Sequence, residues 1–166
     1  MFSPDGRLFA TATDDHDSVR VYDSRNGSLL VKFPIKVYTE SNHSLAWASV
    51  SNQLFALSHL CYIHRVDVST GTMLSKWRIH NSDDVLCTAL EISGTLIAAC
   101  AGSFVSFWDI TTQEQIGPVI EYTHRIWALA VSSNYDLVAS GDNRITVRAL
   151  CGILPSYYLD NVSLPA

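Results

Sequence analysis

Charge is scarce in this chain: 16% of its 166 residues are charged, against 48% apolar. That balance excludes a disordered polymer, which lacks the apolar surface needed to offset its conformational entropy. Basic residues are the scarcer sign, with 11 lysines and arginines against 16 aspartates and glutamates and a formal net charge of −5. The basic face that would bind nucleic acid or anionic lipid is missing. The four cysteines, Cys61, Cys87, Cys100 and Cys151, form no C-x-x-C pair. This removes the short-spaced zinc and redox motifs. It predicts reduced, buried thiols in a cytoplasmic or nuclear protein. Residues 1–6 show no basic region leading into an apolar run, so no secretory leader is read there.

Catalytic signatures are missing too. There is no G-x-x-x-x-G-K or G-x-G-x-x-G phosphate loop and no G-x-S-x-G elbow. The histidines His16, His43, His59, His64, His80 and His124 are scattered, with no H-x-x-x-H pair. No metal, cofactor or catalytic group is therefore assigned. Residues 92–108 carry no formal charge, and a membrane span needs about 18–20 apolar residues. Turn residues Ser93-Gly94 and Ala101-Gly102-Ser103 interrupt that run, so it reads as strands and turns.

What the chain does have is a recurring stretch. Residues 103–110, Ser-Phe-Val-Ser-Phe-Trp-Asp-Ile, are apolar and alternating, and they end in Trp108-Asp109. Related stretches lie on either side, and a fixed period of about 40–45 residues signals stacked or radial repeats. Adding 44 carries Asp23 to Asp67, Gly27 to Gly71, Leu30 to Leu74 and Lys32 to Lys76. Adding 42 carries Asp67 to Asp109, Leu54 to Leu96 and Ala56 to Ala98.

Four units follow, at about 1–34, 43–80, 83–122 and 124–150, with a tail at 151–166. Strands are predicted at 8–13, 18–23 and 28–33 in the first unit and at 43–49, 53–58, 62–67 and 72–77 in the second. The third unit reads as strands at 85–92, 95–100, 103–110 and 115–120, the fourth as strands at 126–132, 137–140 and 144–148. Gly117-Pro118 places the last strand of the third unit at a sheet edge, because proline has no N–H for a second neighbour. Tyr157-Tyr158-Leu159 is a candidate last edge strand.

The inner strands of each unit are apolar at nearly every position, which demands cover on both faces. A lone four-stranded sheet cannot supply that cover, so neighbouring units must. The expected fold is all-β: β-propeller blades of four-stranded antiparallel sheets, a partial set of about 3.5–4 blades.

These residues resemble the WD40-repeat family across about 1–150. Phe2-Ser-Pro-Asp-Gly-Arg-Leu-Phe-Ala-Thr-Ala is similar to the family's turn-and-strand segment. Trp108-Asp109 matches its naming dipeptide, and Tyr22-Asp23 and Val66-Asp67 are degenerate versions. The resemblance implies a structural hydrogen-bond chain from histidine to aspartate to Ser/Thr to tryptophan. In the fourth unit its members are His124, Asp142 and Ser140, with Arg148 in the tryptophan place; the third unit keeps Trp108 and Asp109 but has Gly102 in the aspartate place. The family closes with about seven blades, so the resemblance also implies a segment of a larger propeller, able to self-associate or to pair with missing blades.

The function implied is a non-catalytic scaffold for a protein or peptide partner. Candidate partner-binding residues are the hairpin cluster Asp14, Asp15, His16 and Asp17, together with His43, Asp83, Asp84 and Arg125. Further candidate turns are at 60–61 and 142–143. The spacing of the aspartate cluster matches no calcium loop, so no ion is assigned to it. Asp23, Asp67 and Asp109 recur with the repeat in the first three units, as turn-fixing residues do and a catalytic carboxylate need not. The rival readings are an enzyme of another propeller family, such as a quinoprotein-like oxidoreductase, and a truncated remnant without independent function.

Overall fold

The computed structural model describes residues 1–13, 18–37, 44–48, 52–81 and 87–156. Among the described residues the fold is all-β, with fourteen strands in four antiparallel sheets. The first sheet holds β1 (Leu8–Thr13), β2 (Ser18–Asp23) and β3 (Leu29–Phe33). The second holds β4 (Leu45–Trp47), β5 (Gln53–Leu57), β6 (Tyr62–Asp67) and β7 (Thr72–Arg78). The third holds β8 (Cys87–Ser93), β9 (Leu96–Ala101), β10 (Phe104–Asp109) and β11 (Gln115–Glu121). The fourth holds β12 (Ala128–Val131), β13 (Leu137–Gly141) and β14 (Ile145–Ala149). Strands adjacent in sequence are adjacent in each sheet. The candidate strand at 157–159 lies outside the described residues.

In the first three units the recurring aspartate closes the turn after its strand. The Asp67 carboxylate accepts the backbone N–H of Ser69 at 2.8 Å and of Thr70 at 3.1 Å. Asp109 accepts from Thr111 at 2.7 Å and Thr112 at 2.8 Å, and Asp23 accepts from Arg25 at 2.8 Å. The Ser69 hydroxyl and these N–H groups hold the Asp67 carboxyl below the usual carboxylate range. The three aspartates are turn-fixing groups.

Three hydrophobic cores join the four sheets in series. Ala10, Val19 and Val21 of the first sheet pack on Leu54, Ala56 and Val66 of the second. Phe55, Leu57 and Ile63 of the second pack on Leu90, Ile97 and Ala99 of the third. Leu96, Ala98, Val105 and Phe107 of the third pack on Leu129 and Val138 of the fourth. Successive side chains of β5 and β9 thus enter different cores, and all six residues of β9 are buried. Both faces are covered, which is why these strands are apolar throughout.

The register corrects one sequence correspondence. Asp67 lies opposite Gln53, whereas Asp109 lies opposite Leu96. Leu54 therefore corresponds to Ile97, not to Leu96. The β9–β10 hairpin is tighter, pairing Ala101 with Phe104, whereas the β5–β6 hairpin pairs Leu57 with Ile63. A slip of one residue exchanges the two faces of a strand. Leu54 accordingly packs toward the first sheet and Leu96 toward the fourth.

Pro118 lies on β11, the edge strand of the third sheet. Gly117 beside it has φ 67°, and the register of β10 with β11 shifts between Val105 and Phe107. An added Cβ at Gly117 would meet the carbonyl oxygen of Ile153 at 2.6 Å. The bulge and the 3-10 turn that packs against it thus require glycine here.

The expectation of four reduced, buried thiols is corrected. Cys61 is disulfide-bonded. Cys151 is an exposed thiol, because it sits in the 3-10 turn after β14 rather than on an inner strand. Cys100 is a buried thiol, with Sγ 3.4 Å from the Gly102 carbonyl oxygen and 3.5 Å from that of Ile126. Among the described residues no helix is long and apolar enough to cross a membrane.

Candidate functional site

A polar concavity opens beside the seam of the third and fourth sheets. Its walls are the segment leaving β11 and the hairpin that joins β13 to β14. Glu121, Tyr122, Thr123 and His124 form one wall; Asp142, Asn143, Arg144, Thr146 and Arg148 form the other. The groove has a volume of about 570 Å³.

Backbone bonds fix both walls. The Tyr122 N–H donates to the Ser103 carbonyl at 2.8 Å and the Ile126 N–H to the Gly102 carbonyl at 2.9 Å. They tie the crossing segment to the β9–β10 turn. In the hairpin, the Asp142 carboxylate accepts the Arg144 N–H at 2.6 Å, and the Asp142 N–H donates to the Arg144 carbonyl at 3.0 Å. Such an aspartate turn locks the hairpin without a glycine at positive φ.

The side chains offer both signs of charge. Arg148 lies over the Tyr122 ring, its Cζ 5.2 Å from the centroid. A guanidinium on an aromatic face keeps its edge N–H groups available for a carboxylate. His124 Nδ1 is 3.6 Å from an Asp142 carboxylate oxygen and 2.9 Å from the Thr123 hydroxyl. Arg144 is exposed beside them. Glu121 and Asp142 supply acceptors; Arg144 and Arg148 supply donors.

The residues of the expected hydrogen-bond chain are distributed as follows. His124 and Asp142 face each other at 3.6 Å. Ser140 is buried, and its hydroxyl has no hydrogen-bond partner among the described residues. Arg148, in the tryptophan place, stacks on Tyr122. Trp108 donates its indole N–H to the Ser106 hydroxyl at 2.8 Å. Asp109 serves its turn. Of the candidate partner-binding residues, Arg125 is exposed with its Cζ 5.3 Å above the Trp127 ring. Asp14, Asp15, His16, Asp17, His43, Asp83 and Asp84 lie outside the described residues.

Glu121, Tyr122, Arg144 and Thr146 were not singled out from the sequence. The usable signal was position: they sit at the join between units and beside the 142–143 hairpin. Nothing in their spacing shows that Tyr122 and Arg148 meet.

Two titratable groups, His64 buried and Glu91 half-buried, lie away from the groove. Burial, then the Lys76 ammonium, lowers the His64 pKa to about 4. Burial also raises the Glu91 carboxyl above its ordinary value. Among the described residues no group of three or more His, Cys, Asp or Glu side chains could hold a metal ion. Neither protein-family models nor curated proteins match the chain.

Proposed function

We propose that the chain is a non-catalytic protein-interaction scaffold built of WD40-like propeller blades, and that the groove at 121–124 and 142–148 receives a peptide segment of a protein partner. One observation carries the reading: a groove of about 570 Å³ lined by paired charges of both signs and an aromatic ring. Its walls are loop and strand-end residues, and backbone bonds hold the loops to packed strands. Rigid strands that present variable loops are the usual basis of recognition. Arginine and tyrosine are the residue types that concentrate binding energy. A cytoplasmic or nuclear location belongs to the same proposal, and the redox state of Cys61 in cells bears on it.

Site-specific photo-crosslinking tests it. A photo-activatable residue at Asn143 captures the partner, and one at Lys32, far along the chain, serves as control. The captured partner is then purified and titrated against the unaltered chain and against Arg148→Ala. The expected result is capture from position 143 alone and at least about tenfold weaker binding by the variant, as a lost anchoring contact gives. Equal binding by the variant, or a partner captured equally from both positions, overturns the reading.

A further inference from the structure

The outer face of the fourth sheet repeats a face that is buried in the first and third sheets. The register places Ile145 and Val147 of β14 where β10 has Val105 and Phe107, since Ala149 lies opposite Leu137 as Asp109 lies opposite Leu96. The same places in β2 are Val19 and Val21. Val19, Val21, Val105 and Phe107 are all fully buried under the next sheet. Ile145 is 82% exposed and Val147 57%. Leu137, at the place of the fully buried Leu96, is 45% exposed. The remaining positions on this face, Ala128, Ala130, Ala139, Gly141 and Ala149, are small and apolar. An uninterrupted apolar sheet face is uncommon on a solitary soluble domain.

The opposite end of the series carries the matching half. In each internal junction this face packs on the other face of the following sheet, at the places of Leu54 and Val66 or of Ile97. In the first sheet those places belong to Phe9 and Tyr22, which lie opposite each other. With Phe2 they line an apolar groove of about 550 Å³. The Phe2 and Phe9 rings are 4.8 Å apart, and Phe2 is 61% exposed.

We infer that the outer face of the fourth sheet is covered by the outer face of the first sheet of a second copy of this chain. The pairing is head to tail and continues the sheet-on-sheet packing found three times within one copy. Such an interface is heterologous: it closes with two copies or adds copies in a chain. It rests on the serial packing of the sheets and not on peptide binding by the groove, so either can fail alone.

Sedimentation velocity across micromolar concentrations tests it on the full chain. The unaltered protein is expected at twice its 18.3 kDa mass or in a concentration-dependent series above it. Two double variants each block one face: Ile145→Asp with Val147→Asp, and Phe2→Asp with Tyr22→Asp. Each alone is expected to be monomeric, with self-association weakened at least about 30-fold. Mixed in equal amounts, they are expected to form a single one-to-one complex through their two intact faces. A monomeric, cooperatively melting unaltered chain overturns the inference. So does a Phe2/Tyr22 variant that dimerises as well as the unaltered chain, because then the fourth sheet pairs with itself. Should either variant lose its cooperative melt, a photo-activatable residue at Val147 decides. Adducts on Phe2, Phe9 or Tyr22 of another copy support head-to-tail pairing, and adducts elsewhere sink it.

Discussion

Gln113 holds a left-handed backbone, φ 62°, at the place that Gly71 holds in the preceding unit, φ 70°. Each lies four residues after its turn aspartate, Asp109 or Asp67. A Cβ in this conformation costs roughly 1–2 kcal/mol that glycine avoids. Gln113→Gly is expected to stabilise the chain by about 1 kcal/mol, and Gly71→Ala to destabilise it by about as much. An added Cβ at Gly71 would meet only the Val31 methyl at 3.5 Å, so the effect isolates backbone strain. Urea unfolding of the two variants should give shifts of opposite sign.

Removing the turn carboxylate should also be felt. Asp109→Ala leaves the N–H groups of Thr111 and Thr112 without their acceptor. The expected loss is about 1 kcal/mol, since the turn is exposed and water recovers part of the bonding. Asp109→Asn, which keeps an acceptor oxygen, should recover most of it in the same unfolding measurement.

His64 sets a pH dependence. Its folded-state pKa, about 4, lies below the ordinary 6.5, so the unfolded chain takes up a proton in that interval and the folded chain does not. Stability is therefore complete above pH 6.5 and declines as the pH falls toward 4. Glu91 acts in the opposite sense: its raised pKa contributes stability at low pH that is lost as the pH rises through it. The melting temperature of the unaltered chain should fall between pH 7 and pH 5, and His64→Leu should flatten that change. An identical pH profile in the variant would show that His64 is not the group responsible.

Equivalent positions in the third and fourth sheets should tolerate truncation very differently. Phe107 is fully buried, and Phe107→Ala is expected to cost about 3–5 kcal/mol. Val147 corresponds to it but is 57% exposed. At concentrations low enough to keep the chain monomeric, Val147→Ala should change stability by no more than about 0.5 kcal/mol.

The cysteines should separate into three kinetic classes. In the folded, unreduced chain, alkylation followed by peptide mapping is expected to label the exposed Cys151 first. Buried Cys100 should react only as the chain unfolds, because its Sγ is enclosed beside the Gly102 and Ile126 carbonyls. Cys61 should stay unlabelled until a reductant is added. Prompt labelling of Cys61 without reductant would return it to the thiol state expected from the sequence.

Much of the fold was legible because short-range chemistry sets it. Turn aspartates, glycines at positive φ and runs of β-branched residues act over a few positions, and the 44-residue spacing repeats them. Pro118 announced an edge strand for the same local reason: a residue without an N–H cannot sit between two neighbours. The face of each residue was less legible. Leu54 and Leu96 look equivalent in the sequence, but the length of one hairpin decides that they point to opposite neighbours. The groove was only partly visible. Its hairpin at Asp142 carries a turn signature, while the stacking of Arg148 on Tyr122 joins residues from two sheets and has none.

By itself, then, the sequence determined that this polypeptide is all-β, that it runs in four related units, and where most of its strands and turns fall. Those properties depend on neighbours within a few residues, where side-chain chemistry acts directly on the backbone. Only the tertiary structure decided which alternate side chains enter which of the three cores, and that charges of both signs gather at one seam. It alone showed Ile145 and Val147 exposed where their counterparts are buried. These outcomes depend on strand register and on the packing of whole sheets, quantities that a one-residue change in a hairpin can reverse without altering local composition.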